Sequence, residues 1–322
     1  EHHVGAISGK VLYLSTLGSF LGAVATAAVL MNFFGVAWTV VINFIAMLSL
    51  VVLLQSVTKE KWLATLVVAF CGGLIYWVNV GFEKSAFITT NQYNNYALIK
   101  DYIVDDMGPG NILSVNNSAS SYLNDKKQGF PYAEFIKNVL FKQLKLQNKE
   151  ILVIGAGGFS LSAESDFGNH FIYNDIDKQI KPAAKQGFID RINGDFVAED
   201  ARSFLMNKVD QFDVIINDAF SNRYAIPFYL LTQEHIQNIR HALRDNGLAI
   251  FNIIANPFFQ SRYSRRVDNT IRSVFPSCSA TPLRFNTKVT SIIYICQKSS
   301  YDADNTIYTD NRNTTTLDFY TQ

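Results

Sequence analysis

Cysteine and histidine are scarce in this chain. It has three cysteines in 322 residues, at positions 71, 278 and 296, and no two of them form a CxxC pair. Spacing this wide predicts neither a disulfide framework nor a zinc site. The five histidines add no metal motif, because His235 and His241 miss the i,i+4 spacing of metal ligands on a helix. The sequence therefore argues against a metal enzyme.

An excess of charge of either sign is also missing. The chain has 28 Lys plus Arg against 27 Asp plus Glu, a net charge of +1. A nucleic-acid binder needs a basic excess to neutralise phosphates, so we expect no nucleic-acid partner. A disordered chain needs low hydrophobicity and high net charge, whereas 48% of these residues are hydrophobic.

The few charges leave two long apolar regions near the N-terminus. No Asp, Glu, Lys or Arg occurs from residue 11 to 58, or again from 62 to 82. A bilayer span needs roughly 20 apolar residues, so we predict about three transmembrane helices, at about 11–34, 36–54 and 62–82. A tight turn at Asn32–Gly35 separates the first two. Residues 1–82 are thus predicted to be a membrane region.

Two features of this region bear on packing and orientation. Gly18 and Gly22 form a GxxxG step, which predicts close helix packing in lipid. Lys10, Lys59 and Lys61 fall on one side of the predicted bundle, and the rest of the chain follows on the other. Taken alone, the positive-inside rule would place the soluble domain outside.

The remaining residues predict a soluble α/β domain. Residues 83–149 are expected to form a small β subdomain and connector, with a hairpin made by Tyr96–Ile103 and Asn111–Val115. From residue 150 to 322, apolar runs alternate with helical patterns, which is typical of a doubly wound sheet. The predicted parallel strands are Ile151–Ile154, Phe171–Asn174, a short strand before Asp200, Asp213–Asn217 and Leu248–Ile253. We predict a helix over Pro227–Leu243, and an antiparallel edge hairpin from Thr281–Phe285 and Val289–Cys296.

A glycine loop follows the first of these strands. Residues 154–160 read Ile-Gly-Ala-Gly-Gly-Phe-Ser, and glycines there let backbone N–H groups approach a ligand. Asp175 comes twenty residues after Gly155, at the end of the second strand, where an acid accepts hydrogen bonds from ribose hydroxyls. Ser160 replaces the third glycine of GxGxxG, so a nucleoside fits better than a pyrophosphate.

Two further acids end neighbouring strands. Asp200 follows the third strand and Asp218 the fourth. Ligands of open α/β sheets bind at the carboxyl ends of strands near the switch point, so we expect Asp175, Asp200 and Asp218 to lie along one rim.

In this order the residues resemble spermidine synthase-like proteins, the polyamine aminopropyltransferases, and more closely their membrane-fused branch. The chain is similar to that branch over nearly its whole length. The segments that carry the similarity are 15–22 (STLGSFLG), 154–164 (IGAGGFSLSAE), 174–177 (NDID), 218–223 (DAFSNR) with Pro227 and 230–232 (LLT), and 308–310 (YTD).

The resemblance implies a methyltransferase-type Rossmann fold, a decarboxylated S-adenosylmethionine donor, an amine acceptor and no metal. By the same resemblance, Asp218 would be the general base. The residues that would bind the nucleoside are Gly155, Ala156, Gly157, Gly158, Asp175, Ile176, Asp200 and Ala201. The residues that would line the acceptor site are Tyr93, Asn94, Tyr132, Ser221 and Tyr224.

The sequence departs from the family at charged positions. Gly158 stands where an acid pairs with the donor's ammonium group, and Ser221 where a second acid binds the acceptor. The family's upstream Tyr-His-Glu becomes 132–134 (YAE), its Asp-Glu becomes 128–129 (QG), its Tyr-Gln becomes 93–94 (YN), and a later Gln becomes Ser120. An uncompensated buried cation costs several kcal/mol, which argues against an ordinary putrescine site. Cation–π contact with Phe159, Phe220 and Tyr224 would offset part of this cost.

Three functions fit these observations. The first is aminopropyl transfer to an amine; the alternatives are methyl transfer from intact S-adenosylmethionine and a non-catalytic nucleoside sensor that regulates the membrane bundle. The expected partners are a small amine, membrane lipid and a second copy of the chain. Because adenosylated donors are made in the cytoplasm, the resemblance implies a multi-pass protein of a bacterial inner membrane with its soluble domain in the cytoplasm.

Overall fold

The computed structural model describes residues 2–54, 61–91, 93–104, 107–219 and 226–298. Its N-terminal region is helical and apolar. The helices are α1 (His2–Ala25), α2 (Met31–Leu54), α3 (Lys61–Tyr76) and α4 (Phe82–Ala86), and π-helical turns join α1 to α2 (Thr26–Leu30) and α3 to α4 (Trp77–Gly81). Within these ranges two stretches, Ile7–Leu50 and Thr65–Ala86, are long and apolar enough to cross a membrane. Three separate spans are therefore not confirmed.

The first stretch is interrupted at Gly35, inside the predicted turn. Gly35 has non-helical backbone angles (φ 76°, ψ 179°), which glycine adopts more readily than other residues. Beyond it, α2 packs on α3 and its continuation, with Trp38 edge-on to Tyr76 at 5.5 Å between ring centroids. At Gly18 and Gly22 no described atom lies within 4 Å of where a Cβ would be. Close packing at the GxxxG step is therefore not found in the described part of the chain.

A four-stranded antiparallel sheet follows the helices. Its strands are β1 (Thr89–Thr90), β2 (Asn95–Val104), β3 (Gly108–Val115) and β4 (Ser118–Asn124), in that order across the sheet. The predicted hairpin corresponds to β2 and β3. The sheet is larger than predicted because β4, a run of serines with Tyr122 and Leu123, pairs with β3.

The larger sheet has seven strands in the order β10-β11-β9-β8-β5-β6-β7. The strands are β5 (Glu150–Ile154), β6 (His170–Asp175), β7 (Asp195–Ala198), β8 (Phe212–Asn217), β9 (Leu243–Ala255), β10 (Cys278–Pro282) and β11 (Thr290–Gln297), and the helices are α5 (Pro131–Lys137), α6 (Ile180–Lys185), α7 (Ala201–Leu205), α8 (Gln233–Ala242) and α9 (Arg262–Val274). The first five strands are parallel, and β10 and β11 are antiparallel. The expected Rossmann-like α/β fold with an antiparallel edge is thus present.

Apolar residues cover both faces of this sheet. Ile154, Ile215 and Phe251 pack with residues of α8 and α9 on one face. Their neighbours Val153, Ile216 and Ile250 pack with residues of α5 and α6 on the other. A parallel sheet buried on both faces needs such continuous apolar runs, and these runs made its strands recognisable in the sequence.

The predicted helix Pro227–Leu243 is shorter in the structure. Phe228–Leu230 form a 3₁₀ turn, and α8 begins only at Gln233. Thr232 caps the helix, since its Oγ1 accepts a hydrogen bond from the His235 N–H at 3.4 Å. A threonine at the N-cap fixes a helix start because its side-chain oxygen satisfies a first-turn N–H group. At the other end the chain enters β9 at Leu243, so Gly247 lies within a strand.

The structure contains a disulfide that the cysteine spacing does not predict. Cys278 and Cys296 form it, with their Cα atoms 4.1 Å apart. They are separated by 18 residues in the sequence, but the antiparallel register of β10 and β11 places them directly opposite each other. Cysteine spacing along the chain does not reveal such a pair, because it depends on strand register.

Candidate active site

The glycine loop, residues 155–158, lies where the strand order of the large sheet reverses. Gly155 has a φ of +88°, and a Cβ there would lie 2.6 Å from the Asp218 backbone oxygen. Only glycine permits this approach. The glycine loop and the end of β8 therefore meet at one point of the sheet edge, which is the usual ligand crevice of such folds.

The second half of the glycine loop is filled by neighbouring side chains. A Cβ on Gly158 would lie 2.1 Å from Cε1 of Phe188 and 2.8 Å from Cβ of Ser121. The Gly158 N–H donates a hydrogen bond to Ser121 Oγ at 2.7 Å. An acidic side chain at Gly158 would therefore need Phe188 to move.

Phe159 does not present a face to the crevice. It has a positive φ of 61°, is 0% exposed, and packs edge-on against Tyr173 and Phe196 at 4.9 and 5.8 Å. The expectation that Phe159 offers a cation–π surface is wrong, because the ring belongs to the core. Phe220 and Tyr224 lie outside the described residues.

Asp175 is held against the glycine loop. Its Oδ2 accepts from the Ala156 N–H at 3.1 Å, and its Oδ1 from the Asp177 N–H at 2.9 Å. Burial raises its pKa to about 6, and these backbone hydrogen bonds oppose that rise. Next to it, the Ile176 side chain is 42% exposed. A carboxylate and an apolar surface are therefore side by side at the end of β6.

Asp218 lies across the loop, at the end of β8. Asn252 Nδ2 donates to its Oδ1 at 2.8 Å, and a second side-chain hydrogen bond joins it to Tyr132. Burial raises the pKa of Asp218 to about 7, and the two hydrogen bonds partly oppose this. The pKa of Tyr132 is also raised, first by burial and then by Asp218. A carboxyl group with a pKa near 7 can both accept and release a proton at neutral pH.

Asp200 occupies the expected rim position but also caps a helix. Its Oδ1 accepts from the N–H groups of Arg202 and Ser203 at 3.0 and 3.1 Å, which fixes the start of α7. Ala201, the first residue of that helix, is 7% exposed. Capping leaves Oδ2 of Asp200 outside these two bonds.

The acceptor residues expected from the sequence are not equivalent in the structure. Tyr132 reaches Asp218, whereas Tyr93 is 47% exposed. Asn94 is engaged elsewhere, since its Nδ2 donates to the Tyr96 hydroxyl at 3.1 Å and to Asp177 at 3.2 Å. Ser221 lies outside the described residues, as does Tyr224.

Sequence reasoning missed two residues of this region. Asn252 contacts Asp218, and the signal for it is an amide inside the apolar run of β9. Asp177 is 1% exposed and receives several hydrogen bonds, although the sequence marks it only as part of a motif. In the described ranges, no group of three or more His, Cys, Asp or Glu side chains is placed to hold a metal ion.

A glycine loop, a rim of acids and a reversal in strand order define a Rossmann-like α/β domain with a candidate ligand crevice. The family of that domain follows from comparison. The sequence model of the spermine/spermidine synthase domain matches residues 129–306, more than half of the chain, and the protein belongs to this family. No curated protein matches the chain.

Solved structures show the same fold. A probable spermidine synthase from Corynebacterium glutamicum superposes with a TM-score of 0.55 at 19% identity, over 67% of this chain and 81% of that one. A spermidine synthase in complex with the transition-state analogue AdoDATO gives 0.51 at 19% identity, over 66% and 74%. The Thermotoga maritima spermidine synthase gives 0.50 at 18% identity, over 66% and 73%. Identities this low establish the fold alone.

Proposed function

We propose that the protein is a membrane-anchored aminopropyltransferase of the membrane-fused branch of its family. In this proposal it moves an aminopropyl group from decarboxylated S-adenosylmethionine to an amine. The observation that carries the proposal is the position of Asp218, a carboxyl group with a raised pKa, packed against a glycine loop that only glycine can form.

The reaction needs one base. The nitrogen lone pair of the acceptor attacks the donor carbon next to the sulfonium, the carbon–sulfur bond breaks, and methylthioadenosine leaves as a neutral thioether. The proton that the nitrogen loses goes to Asp218. Its partners Tyr132 and Asn252 are neutral donors, so the ionised carboxylate keeps its charge for the cationic substrates.

The nucleoside half of the donor fits the other rim residues. Asp175 would accept the ribose hydroxyls, and the exposed Ile176 side chain would pack on the base. Asp200 and Ala201 would contact the adenine edge, with Oδ2 of Asp200 as the hydrogen-bond acceptor. The backbone of the glycine loop, Gly155 to Gly158, would line the ribose and the sulfur.

The acceptor is proposed to carry less positive charge than putrescine. Ser221 stands where the family's second acid would bind the acceptor, and it supplies no carboxylate. At Gly158 the missing acid concerns the donor tail instead, and Phe188 fills the space next to it. Four side chains would line the acceptor site: Tyr93, Tyr132, Ser221 and Tyr224. Asp218 would be the one carboxylate among these proposed acceptor residues. Asn94 would support this site from behind through Asp177.

Methyl transfer from intact S-adenosylmethionine is the second candidate. The filled space at Gly158 favours it, because a donor whose tail ammonium is balanced by its own carboxylate needs no protein acid there. The third candidate is a nucleoside sensor without catalysis. The hydrogen bonds from Asn91, five positions after the apolar helices end, to Asp177 in the Asp175 loop favour that alternative.

The remaining parts of the proposal concern organisation. Residues 1–82 would anchor the chain by several passes in a bacterial inner membrane, residues 83–149 would form the β subdomain and connector, and residues 150–322 the catalytic domain. The supply of adenosylated donor favours the cytoplasmic side for this domain. A homodimer and surrounding lipid complete the proposed partners.

Mass spectrometry of the full chain in mild detergent tests the reaction. The protein is incubated with decarboxylated or intact S-adenosylmethionine and a panel of amines, with Asp218→Asn as the control. Methylthioadenosine together with an aminopropylated amine, both absent from the control, is the expected result. S-adenosylhomocysteine would indicate methyl transfer instead. The absence of both products would contradict an enzymatic function.

A further inference from the structure

Residues 87–91, which directly follow the proposed membrane helices, are hydrogen-bonded to the β subdomain. α4 ends at Ala86, and two residues later the Ile88 N–H donates to the Tyr96 carbonyl at 2.7 Å. Thr89 and Thr90 then pair with Tyr96 and Asn95 as β1. Only four residues, 87–90, separate the end of the helix at Ala86 from Asn91, which leaves little slack between them.

Asn91 joins this segment to the large sheet. Its Nδ2 donates to both carboxylate oxygens of Asp177, at 2.9 and 2.8 Å. Its Oδ1 accepts from the N–H groups of Tyr93 and Asn94, at 2.7 and 2.9 Å. Both ends of the amide are occupied, so the side chain has one orientation.

Asp177 is a buried carboxylate held by neutral donors. It is 1% exposed, and besides Asn91 it accepts from the Tyr96 hydroxyl at 2.6 Å, from Asn94 at 3.2 Å and from the Gln179 N–H at 2.9 Å. A buried carboxylate depends strongly on its hydrogen bonds, because losing one leaves charge unsolvated. The position of Asn91 and that of Asp177 are therefore tightly linked.

The same loop holds Asp175. The Asp177 N–H donates to Asp175 Oδ1 at 2.9 Å, and Asp175 Oδ2 accepts from the Ala156 N–H of the glycine loop at 3.1 Å. Three hydrogen-bonded steps, from Asn91 to Asp177, to Asp175 and to Ala156, thus connect the membrane-proximal segment with the glycine loop.

We propose that Asn91 is a positioning residue of the nucleoside site and that it couples nucleoside binding to the membrane-proximal segment 87–91. The inference rests on the proposed function in taking a nucleoside as the ligand and residues 1–82 as a membrane anchor. Ordering of Asp175 around a bound nucleoside would order Asp177 and Asn91, and with them the end of the helix. Such coupling is reciprocal in free energy, so the state of the membrane helices would also change nucleoside affinity.

The experiment uses the full chain in lipid nanodiscs, with methylthioadenosine as the probe. Calorimetry gives its affinity, and hydrogen exchange read by mass spectrometry follows residues 87–91 with and without it. Asn91→Ala removes the link to the membrane-proximal segment. Tyr96→Phe is the matched control, because it removes a different donor to the same carboxylate from β2 and leaves the Asn91 bonds in place.

In the wild-type protein, methylthioadenosine should slow exchange in residues 87–91 by about fivefold or more, the low end of typical coupling. Both variants should weaken binding, by roughly tenfold for the loss of a hydrogen bond to a charged group. The protection of residues 87–91 should vanish in Asn91→Ala and persist in Tyr96→Phe.

Three results would overturn the proposal. Unchanged exchange of residues 87–91 in the wild-type protein, with binding intact, would exclude coupling while leaving the enzymatic function standing. Protection that persists in Asn91→Ala would show that another path carries it. Absence of any methylthioadenosine binding would remove the nucleoside site itself, whereas binding without amine-dependent turnover would contradict only the transferase function.

Discussion

The raised pKa of Asp218 predicts that its replacement by asparagine stabilises the protein, and only at neutral and alkaline pH. The pKa is about 7 in the folded protein against an ordinary value of 3.8. The folded state therefore binds the proton more tightly than the unfolded state between these values, and stability falls as pH rises from about 4 to 7. Three pKa units at about 1.4 kcal/mol each correspond to roughly 4 kcal/mol.

Asparagine removes this dependence with little change in shape. Its Oδ1 still accepts from Asn252, and its Nδ2 can donate to the Tyr132 hydroxyl. We therefore expect Asp218→Asn to raise the free energy of unfolding by up to about 4 kcal/mol at pH 8.5, and by much less at pH 4.5. The same variant should lose turnover and keep nucleoside affinity, since Asp218 makes no contact assigned to the nucleoside.

Urea unfolding of the full chain in detergent, read by brief proteolysis, measures the difference. Tryptophan fluorescence is unsuitable, because all three tryptophans lie within the first 82 residues and report the apolar N-terminal helices rather than the α/β domain. Asp245→Asn is the control for removing one charge, since the Asp245 side chain is 86% exposed. Equal stabilisation by Asp218→Asn at pH 4.5 and pH 8.5 would refute the assignment of a functional, destabilised carboxylate.

Three further predictions concern separate parts of the structure. Asp175→Ala should weaken nucleoside binding by about 1–3 kcal/mol, the cost of losing a charged hydrogen-bond partner, and unchanged affinity by calorimetry would mean that the glycine loop is misassigned. His235 is fully buried. Burial lowers its pKa from 6.5 to about 4, and Arg202 adds to the effect. The unfolded state therefore binds the proton more tightly, and the stability of the protein falls as the pH drops from about 6.5 to 4. His235→Leu should abolish up to about 3 kcal/mol of this acid sensitivity, as urea midpoints at pH 7 and pH 4.5 would show. The structure pairs Cys278 with Cys296 in a disulfide, whereas the cytoplasm opposes disulfides. If the domain is cytoplasmic as proposed, alkylation during lysis should label both cysteines in cells; an unlabelled, oxidised pair would place the domain outside, as the positive-inside rule does.

Periodicity and turn chemistry in the sequence were enough to predict the parallel strands, because β5, β8 and β9 are buried on both faces and read as apolar runs. The glycine loop and the three rim acids were also visible, since strand ends fix their place. What the sequence left out depends on register and side-chain contact. The Cys278–Cys296 disulfide and the Asn252 bond to Asp218 join residues that are distant in the chain. The start of α8 depends on which of several nearby residues caps it, and the structure shows that Thr232 does.

Neighbouring side chains occupy the space beside Gly158, where the family resemblance predicts an acid. Without a side chain at this position, Phe188 fills the space and Ser121 accepts the N–H of the loop. The acid that the family resemblance predicts there would now have to displace a buried aromatic ring, at a cost of several kcal/mol. Gly158, Phe188 and Ser121 thus occupy this point together, and the tail ammonium of the proposed donor would need its anionic partner from another position in the site. The same crevice keeps Asp175, Asp218 and the narrow turn at Gly155 in place. The residues proposed for nucleoside binding and proton acceptance are therefore present, whereas the position proposed for the donor tail differs from the family pattern, as we expect of a site that recognises the charge of its substrates differently.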